Sequence, residues 1–432
     1  MRVLSEGWSE SRLKKLQSQN RESLQIWQRE QLKAFLLTGF PNSKIENWKY
    51  TDVTPIASQT FSFGELVDCD ISSFIIRDVH RMVFINGHFA PTLSNLTHLP
   101  SEVQLTSLKV ALKKNRKQIL CEIPSYQTPF SLLNDSLFQD GMFLRVPKNC
   151  QLEKPIHLLY LMKPNFSFAM TQTRHLILLG ENSNVALLEE YYGIHHPITY
   201  FNNIVTQINV GASANLAFYK LQEENDYSFH IANTQIRQAR NSQVTTCHIS
   251  LGGVLGREDL NYALEGHNAS CQSLGFYHSK GGQHIDNHTR IDHSIDSCAS
   301  QQIYKGIISD KSRAVFNGKI FVHPEAKKTI AHQINKNLVF SNEAEVNTKP
   351  ELEIYNDDVN CTHGATVGQL NKESLFYLRS RGIDRATAEQ MLGCGFASEI
   401  IEKLSHNIIA ERIHQRIIKH LALLNCLGDC HD

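Results

Sequence analysis

A chain of 432 residues exceeds the usual size of one compact core, so two or three folding units are expected. Hydrophobic residues at 41% and charged residues at 20% describe an ordinary globular protein, not a disordered or membrane-spanning one. Lys plus Arg equals Asp plus Glu, at 43 each, which gives no electrostatic reason to expect nucleic acid or an anionic membrane as a partner. No apolar run approaches the roughly 20 residues that span a bilayer. The start, Met1-Arg2-Val3-Leu4-Ser5-Glu6-Gly7-Trp8, lacks the apolar stretch of a secretory leader, so a cytoplasmic protein is expected. The ten cysteines include no Cys-x-x-Cys pair. Free, buried thiols are therefore expected rather than a zinc ribbon or a redox motif.

In chain order, the first forty residues read as helix, with Leu24, Trp27, Phe35 and Leu36 at helical spacing and Gly39 and Pro41 ending the segment. Ile45-Glu46-Asn47-Trp48-Lys49-Tyr50-Thr51-Asp52 mixes aromatics with charges and reads as an ordered, partly buried loop or helix start. A further helical stretch lies near residues 107–120.

From about Ser136 the pattern changes. Asp140-Gly141-Met142-Phe143-Leu144-Arg145-Val146-Pro147 and Pro155-Ile156-His157-Leu158-Leu159-Tyr160-Leu161 read as short strands broken by turns. Small polar pieces then recur about every 30 residues: Gly180-Glu181-Asn182-Ser183-Asn184, Gly211-Ala212-Ser213-Ala214-Asn215, Arg240-Asn241-Ser242 and Gly266-His267-Asn268-Ala269-Ser270. Each precedes an apolar or alternating run such as Val185-Ala186-Leu187-Leu188. This spacing suits a β-solenoid, whose coils bury their apolar sides only by stacking. A β-sandwich is the alternative, weakened by the length of the all-β region.

Helical pattern returns after Gln369. Asn371 and Asp384 are candidate caps, Gly382 a stop, and Ile409, Ile413, Ile417, Leu421 and Leu424 form one stripe. Three parts follow: a mainly helical region at 1–135, a β-solenoid core at 136–368 and a helical region at 369–432.

The chain has no phosphate-binding Gly-x-x-x-x-Gly-Lys-Ser/Thr loop, no Gly-x-Ser-x-Gly elbow and no His-Glu-x-x-His helix. His278, His284, His288 and His293 form the densest histidine run, but their spacing fits no standard zinc pattern, and they are expected on an outer solenoid face. Cys426, Cys430 and His431 read as a terminal tail. The richest stretch is Asp357-Asp358-Val359-Asn360-Cys361-Thr362-His363-Gly364-Ala365-Thr366. In a strand, residues two apart share a face, so Cys361 and His363 could present sulfur and nitrogen side by side, both good ligands for iron. Two ligands complete no site, so a partner chain would have to donate the rest. The rival reading, which spacing alone favours, is a buried thiol and a hydrogen-bonded imidazole closing the solenoid.

That stretch, extended to Val367-Gly368 and followed by Leu375-Phe376-Tyr377-Leu378-Arg379-Ser380-Arg381-Gly382-Ile383, closely resembles the C-terminal core of the SufB/SufD family of iron–sulfur cluster assembly scaffold proteins. Glu46-Asn47-Trp48-Lys49-Tyr50, Asp140-Gly141 with Val146-Pro147, and Tyr304-Lys305-Gly306 through Arg313-Ala314-Val315-Phe316-Asn317-Gly318-Lys319-Ile320 agree in the same order. SufB-like chains tend to carry His-Glu-Ala where this chain has His363-Gly364-Ala365. They also tend to carry a Cys-Asp-Ser element where Ile334-Asn335-Lys336-Asn337-Leu338-Val339 has no cysteine, which places the resemblance on the SufD side.

The resemblance implies a right-handed parallel β-helix flanked by N-terminal and C-terminal α-helical regions. It implies a non-catalytic scaffold subunit that pairs with SufB, binds the ATPase SufC and contributes to iron acquisition. Cys361 and His363 would sit at a nascent cluster on the SufB interface, and no cofactor would be bound tightly by the isolated chain. SufC would bind residues 371–403, with Tyr377, Leu378, Arg379, Arg381, Gly382 and Phe396 as contacts. Residues 314–320 and 352–368 would meet SufB, or a second copy of this chain in its absence. A SufB-type sulfur-accepting subunit, a β-helix carbohydrate-active enzyme and a purely structural solenoid are the alternatives.

Overall fold

The computed structural model describes residues 5–18, 25–123, 128–194 and 197–422. Its centre is a parallel β-solenoid of about seven turns, flanked by N-terminal and C-terminal helices. From Met142 on, successive strands alternate between two sheets of ten strands each, so each pairs with the strand two places on. One sheet runs from Met142–Val146 through Ala169–Leu179, Tyr200–Val210, Phe229–Gln238, Leu255–Leu264, His284–His293 and Arg313–Val322 to Glu345–Ile354. The other runs from Ile156–Met162 through Asn184–Gly193, Asn215–Glu223, Gln243–Ser250, Ser270–Ser279, Ala299–Ile308 and Thr329–Val339 to Val359–Gly368.

The recurring polar pieces are the corners that hold this register. Asn149, Asn182, Ser213, Asn241, Asn268, Ser297 and Lys328 occupy equivalent corners with φ between 55° and 61°, a region that Asn enters more readily than most residues. The N–H of Asn182 donates to Ala212 O, that of Ser213 to Arg240 O and that of Asn241 to His267 O, each at 2.8 Å, so one coil's corner is tied to the next. Asn182 Nδ2 also donates to Asn149 Oδ1 at 3.0 Å. Just before three of these corners a side chain is excluded: a Cβ on Gly180, Gly211 or Gly266 would lie 2.6, 2.7 or 2.0 Å from backbone of the preceding coil.

Inside, the coils change character along the strands. Val185, Leu187, Leu216, Phe218, Ile204, Ile208, Ile236, Leu260 and Leu264 form an apolar half. At the other end of the same strands lies a buried polar layer. Lys220 Nζ donates to Glu258 Oε2 at 2.5 Å, Tyr191 OH to Glu189 Oε2 at 3.1 Å, and His230 Nδ1 lies 2.6 Å from Glu224 Oε2. Burial raises Glu189 to about 7 against the pull of Lys220, and burial lowers His248 to about 4.

The N-terminal region is less helical than its sequence suggests. Helices Glu10–Ser18, Gln25–Thr38 and Leu108–Glu122 are present, while Leu24 lies outside the described residues. However, His80–Ile85 joins the second sheet in parallel with Ile156–Met162, so that sheet begins well before residue 136. Five of its six residues are buried, which erases the alternation that marks a half-exposed strand. A helix at Pro129–Leu137, capped by Thr128, was also not apparent from the sequence.

Family-matched motifs fasten this region to the solenoid. The Arg257 guanidinium lies 3.8 Å from the Trp48 ring, and its Nη1 donates both to Asn47 O at 2.9 Å and to Asp286 Oδ2 at 2.5 Å. Asp140 accepts from Ser107 Oγ, Lys109 N and Gly141 N, closing the start of the Leu108–Glu122 helix. Gly141 is obligatory there, because a Cβ would lie 1.8 Å from Arg174 O.

At the other end, helices Lys372–Ser380 and Arg385–Ile401 are capped by Asn371 and Asp384 as expected, and Gly382 turns between them with φ 85°. Helix Asn407–Ala422 buries Ile409, Ile413, Ile417 and Leu421 on the outer face of the second sheet, against residues such as Leu221 and Ile249. Leu424 lies outside the described residues. Arg412 clamps the helix to buried Glu190 at 2.8 Å. Burial works to raise Glu190, but His157 and Arg412 outweigh it and hold the carboxyl near 2.

His278 and His420 meet edge to face beneath this helix, ring centroids 5.1 Å apart, and burial lowers both, His278 to about 3. Between pH 6.5 and about 3 the unfolded chain therefore binds a proton at His278 that the folded chain does not, so stability falls as pH falls through that window. Lowering the pH from 7 to 5 should cost the wild type about 2 kcal/mol more than His278→Leu, read from denaturant unfolding at each pH. Parallel pH curves for the two proteins would contradict this.

Candidate functional site

The solenoid ends on Glu345–Ile354 and Val359–Gly368, and among the described residues no strand pairs with the far side of either. Two strand edges of ten residues each are thus left with unused backbone donors and acceptors. Residues 314–320 do not share this position. They lie one coil inward, on Arg313–Val322, which pairs on both sides.

Cys361 and His363 both lie on the last strand, in register with Ala331 and Gln333 of the coil beneath. Their spacing puts them on one face, and it is the inward face. Val359 and Cys361 pack against the buried cluster of Ile320, Val322, Ala326 and Ala331. His363 continues that face two residues on and is exposed because no further coil covers it. Cys361 is half-buried, and burial pushes its thiol up, opposed by a backbone contact with Ala331. A bound metal ion could supply what the site lacks for forming the thiolate. Among the described residues no group of three or more His, Cys, Asp or Glu side chains could hold a metal. The pair fits one half of a thiolate–imidazole site, and the described residues supply no further ligand beside it.

Beneath this pair lies a floor of buried amides that sequence reasoning did not single out. Gln333 Nε2 donates to Gln302 Oε1 at 2.7 Å, and Gln302 Nε2 donates to Thr289 Oγ1 at 2.5 Å. Asn337 Nδ2 donates to Asn335 Oδ1 at 2.6 Å, and Thr348 Oγ1 donates to the same oxygen at 2.8 Å. Tyr277 OH donates to Asn337 Oδ1 at 2.5 Å. Glycines of the matched motif make the room: a Cβ on Gly318 would lie 1.8 Å from Gln333 Nε2, and one on Gly306 would lie 2.1 Å from the Tyr277 ring. The signal was the alternation Gln333-x-Asn335-x-Asn337, amides on the face that should be apolar.

The other candidates separate in space. His278 lies under the C-terminal helix, and His293 lies inside the solenoid, 2.9 Å from Ser300 Oγ. His284 and His288 also face outward, held by Thr51 at 2.9 Å and Asp286 at 3.0 Å. The outer-face expectation thus holds for three of the four, His278 being covered there by the C-terminal helix, while His293 points inward. Cys426, Cys430 and His431 lie outside the described residues. On the C-terminal helices Phe376 is 74% and Tyr377 52% exposed, with the Arg381 guanidinium 4.4 Å from the Tyr377 ring. Arg379 and Gly382 are exposed and Leu378 is half-buried. Phe396 instead turns inward over the buried Lys305 ammonium, 4.3 Å from its ring, and docks the helix to the solenoid. A groove of about 720 Å³ follows the corner glycines Gly180, Gly211 and Gly266, away from Cys361.

Two family models cover nearly all of the chain. The SufBD protein N-terminal region matches residues 8–158, and the SufBD core domain of SUF system FeS cluster assembly matches residues 161–396. Among curated relatives, the iron-sulfur cluster assembly protein SufD of Escherichia coli is 32% identical over 90% of this chain and 91% of its own length. An iron-sulfur cluster assembly SufBD family protein of Synechocystis is 34% identical over 87% of this chain and 86% of its own. A chloroplastic protein of Arabidopsis thaliana is 29% identical over 88% and 83%. With its solenoid and its matched motifs in place, the chain belongs to the SufB/SufD family of SUF iron–sulfur cluster assembly proteins and is SufD-like.

Proposed function

We propose that the chain is a non-catalytic scaffold subunit whose open solenoid end pairs with SufB, and that His363, with Cys361 beside it, contributes ligands to a nascent iron–sulfur cluster at that interface. One observation carries the reading: a thiol and an imidazole share the inner face of a terminal strand with which, among the described residues, no further strand pairs. The cluster is cargo, so half a ligand set on each partner suits assembly followed by release. Of the two residues, His363 is the stronger donor, since a neutral imidazole binds iron without first losing a proton. The two uncovered edges, Glu345–Ile354 and Val359–Gly368, offer backbone pairing to SufB, or to a second copy of this chain when SufB is absent.

His363→Ala should cost the isolated chain no more than about 1 kcal/mol, because the side chain is exposed and water can enter the space it leaves. In the full complex the same variant should assemble normally and hydrolyse ATP normally but form clusters poorly. Loss of assembly would make the residue structural, and cluster formation at the normal rate would reject it as a ligand.

We place SufC on the C-terminal helices, a reading supported by Phe376, Tyr377 and Arg379, which are exposed on Lys372–Ser380. Aromatic and arginine anchors of this kind dominate many interfaces. Phe396 contributes indirectly, by seating Arg385–Ile401 on Lys305. Tyr377→Ala with Arg379→Ala should reduce co-purification of SufC at least tenfold with an unchanged circular dichroism spectrum. Undiminished SufC recovery would count against this placement.

A further inference from the structure

The amide floor has a direction. Gln302 donates to Thr289 and Gln333 donates to Gln302, so the chain of donors runs inward and leaves one acceptor at its outer end, Gln333 Oε1. Gln333 is fully buried, and this oxygen has no hydrogen-bond partner. Its neighbours Asn335 and Asn337 engage their amide oxygens, with Thr348 and Tyr277 as respective donors. A buried carbonyl oxygen without a donor is costly, and each such case calls for a reason. The residue one rung outward on the same inner face is His363.

We infer that Gln333 is a positioning residue for His363. Its amide oxygen accepts the imidazole Nδ1–H and leaves Nε2 as a bare lone pair directed out of the open end. This rests on the reading of His363 as a ligand. The choice of nitrogen follows from reach. Nδ1 is three bonds from its Cα and the Gln333 amide oxygen four from its own, so the oxygen of the coil beneath reaches the depth of Nδ1 with a bond to spare. Nε2 is farther out, where a metal held between two chains would lie. Metal-binding imidazoles characteristically donate their second N–H to an oxygen, and loss of that partner commonly weakens binding tenfold to a hundredfold. Gly318 belongs to the same device, since any side chain there would displace the Gln333 amide.

The test is histidine ¹⁵N NMR on the full-length chain at a pH where His363 is neutral, with the signal assigned by its loss in His363→Ala. Free imidazole in water favours the opposite tautomer, with the proton on Nε2. The wild type should show His363 protonated on Nδ1. Gln333→Met should return it to the Nε2–H form and slow cluster formation in the complex about tenfold or more. Gln333→Glu, which keeps an acceptor but loses the donor to Gln302, should keep Nδ1 protonated.

A wild-type His363 protonated on Nε2 overturns the inference without recourse to any variant. So does Nδ1 protonation that persists in Gln333→Met, or that is lost in both variants. Failure of the ligand reading is distinguishable: His363→Ala would then form clusters normally whatever the tautomer shows.

Discussion

The candidate site depends on the parallel register between Thr329–Val339 and Val359–Gly368. That register sets Cys361 over Ala331 and His363 over Gln333. A slip of one residue would turn both side chains to the outer face and leave Thr362 and Gly364 in their place. The register is fixed by corners far from the site. The left-handed residues Asn149, Asn182, Ser213, Asn241, Ser297 and Lys328 are each bonded to the next coil, and the last such bond, from Lys328 N to Asp358 O at 2.6 Å, starts the terminal strand. Stacking thus transmits order along the molecule to an edge that has no coil of its own to hold it.

The solenoid was legible because its corners carry chemistry visible in one dimension. Asn182, Asn241 and Asn268 stand where a non-glycine residue must take positive φ, and Gly180, Gly211 and Gly266 stand where backbone passes too close for a Cβ. Cys361 and His363 were legible for a similar reason: period two in a strand is geometry, and it places them on one face. The capping residues Asn371 and Asp384 were equally plain, since their side chains accept from the third residue onward.

What the sequence hid was mostly burial. His80–Ile85 is buried on both faces and so shows no alternation. The histidine run reads as one feature, yet it crosses a strand, a corner and a second strand, so its members reach the interior, an outer face and the underside of a helix. Phe396 looked like an exposed anchor because nothing in its neighbourhood predicts Lys305, ninety-one residues earlier, as the cation beneath it. The amide floor was hidden because polar residues on a strand read as solvent-facing until the solenoid encloses them. Its members are satisfied by one another except at the end nearest His363.

The central claim is that this open end is completed by a partner. It is tested most directly by hydrogen exchange at the backbone amides of Val359–Gly368, compared between the isolated chain and its complex with SufB and SufC. The account predicts fast exchange at the outward-pointing amides in the isolated, dilute chain and strong protection, including residues 361–363, in the complex. Equal exchange in both states, with protection appearing on another face, would contradict it.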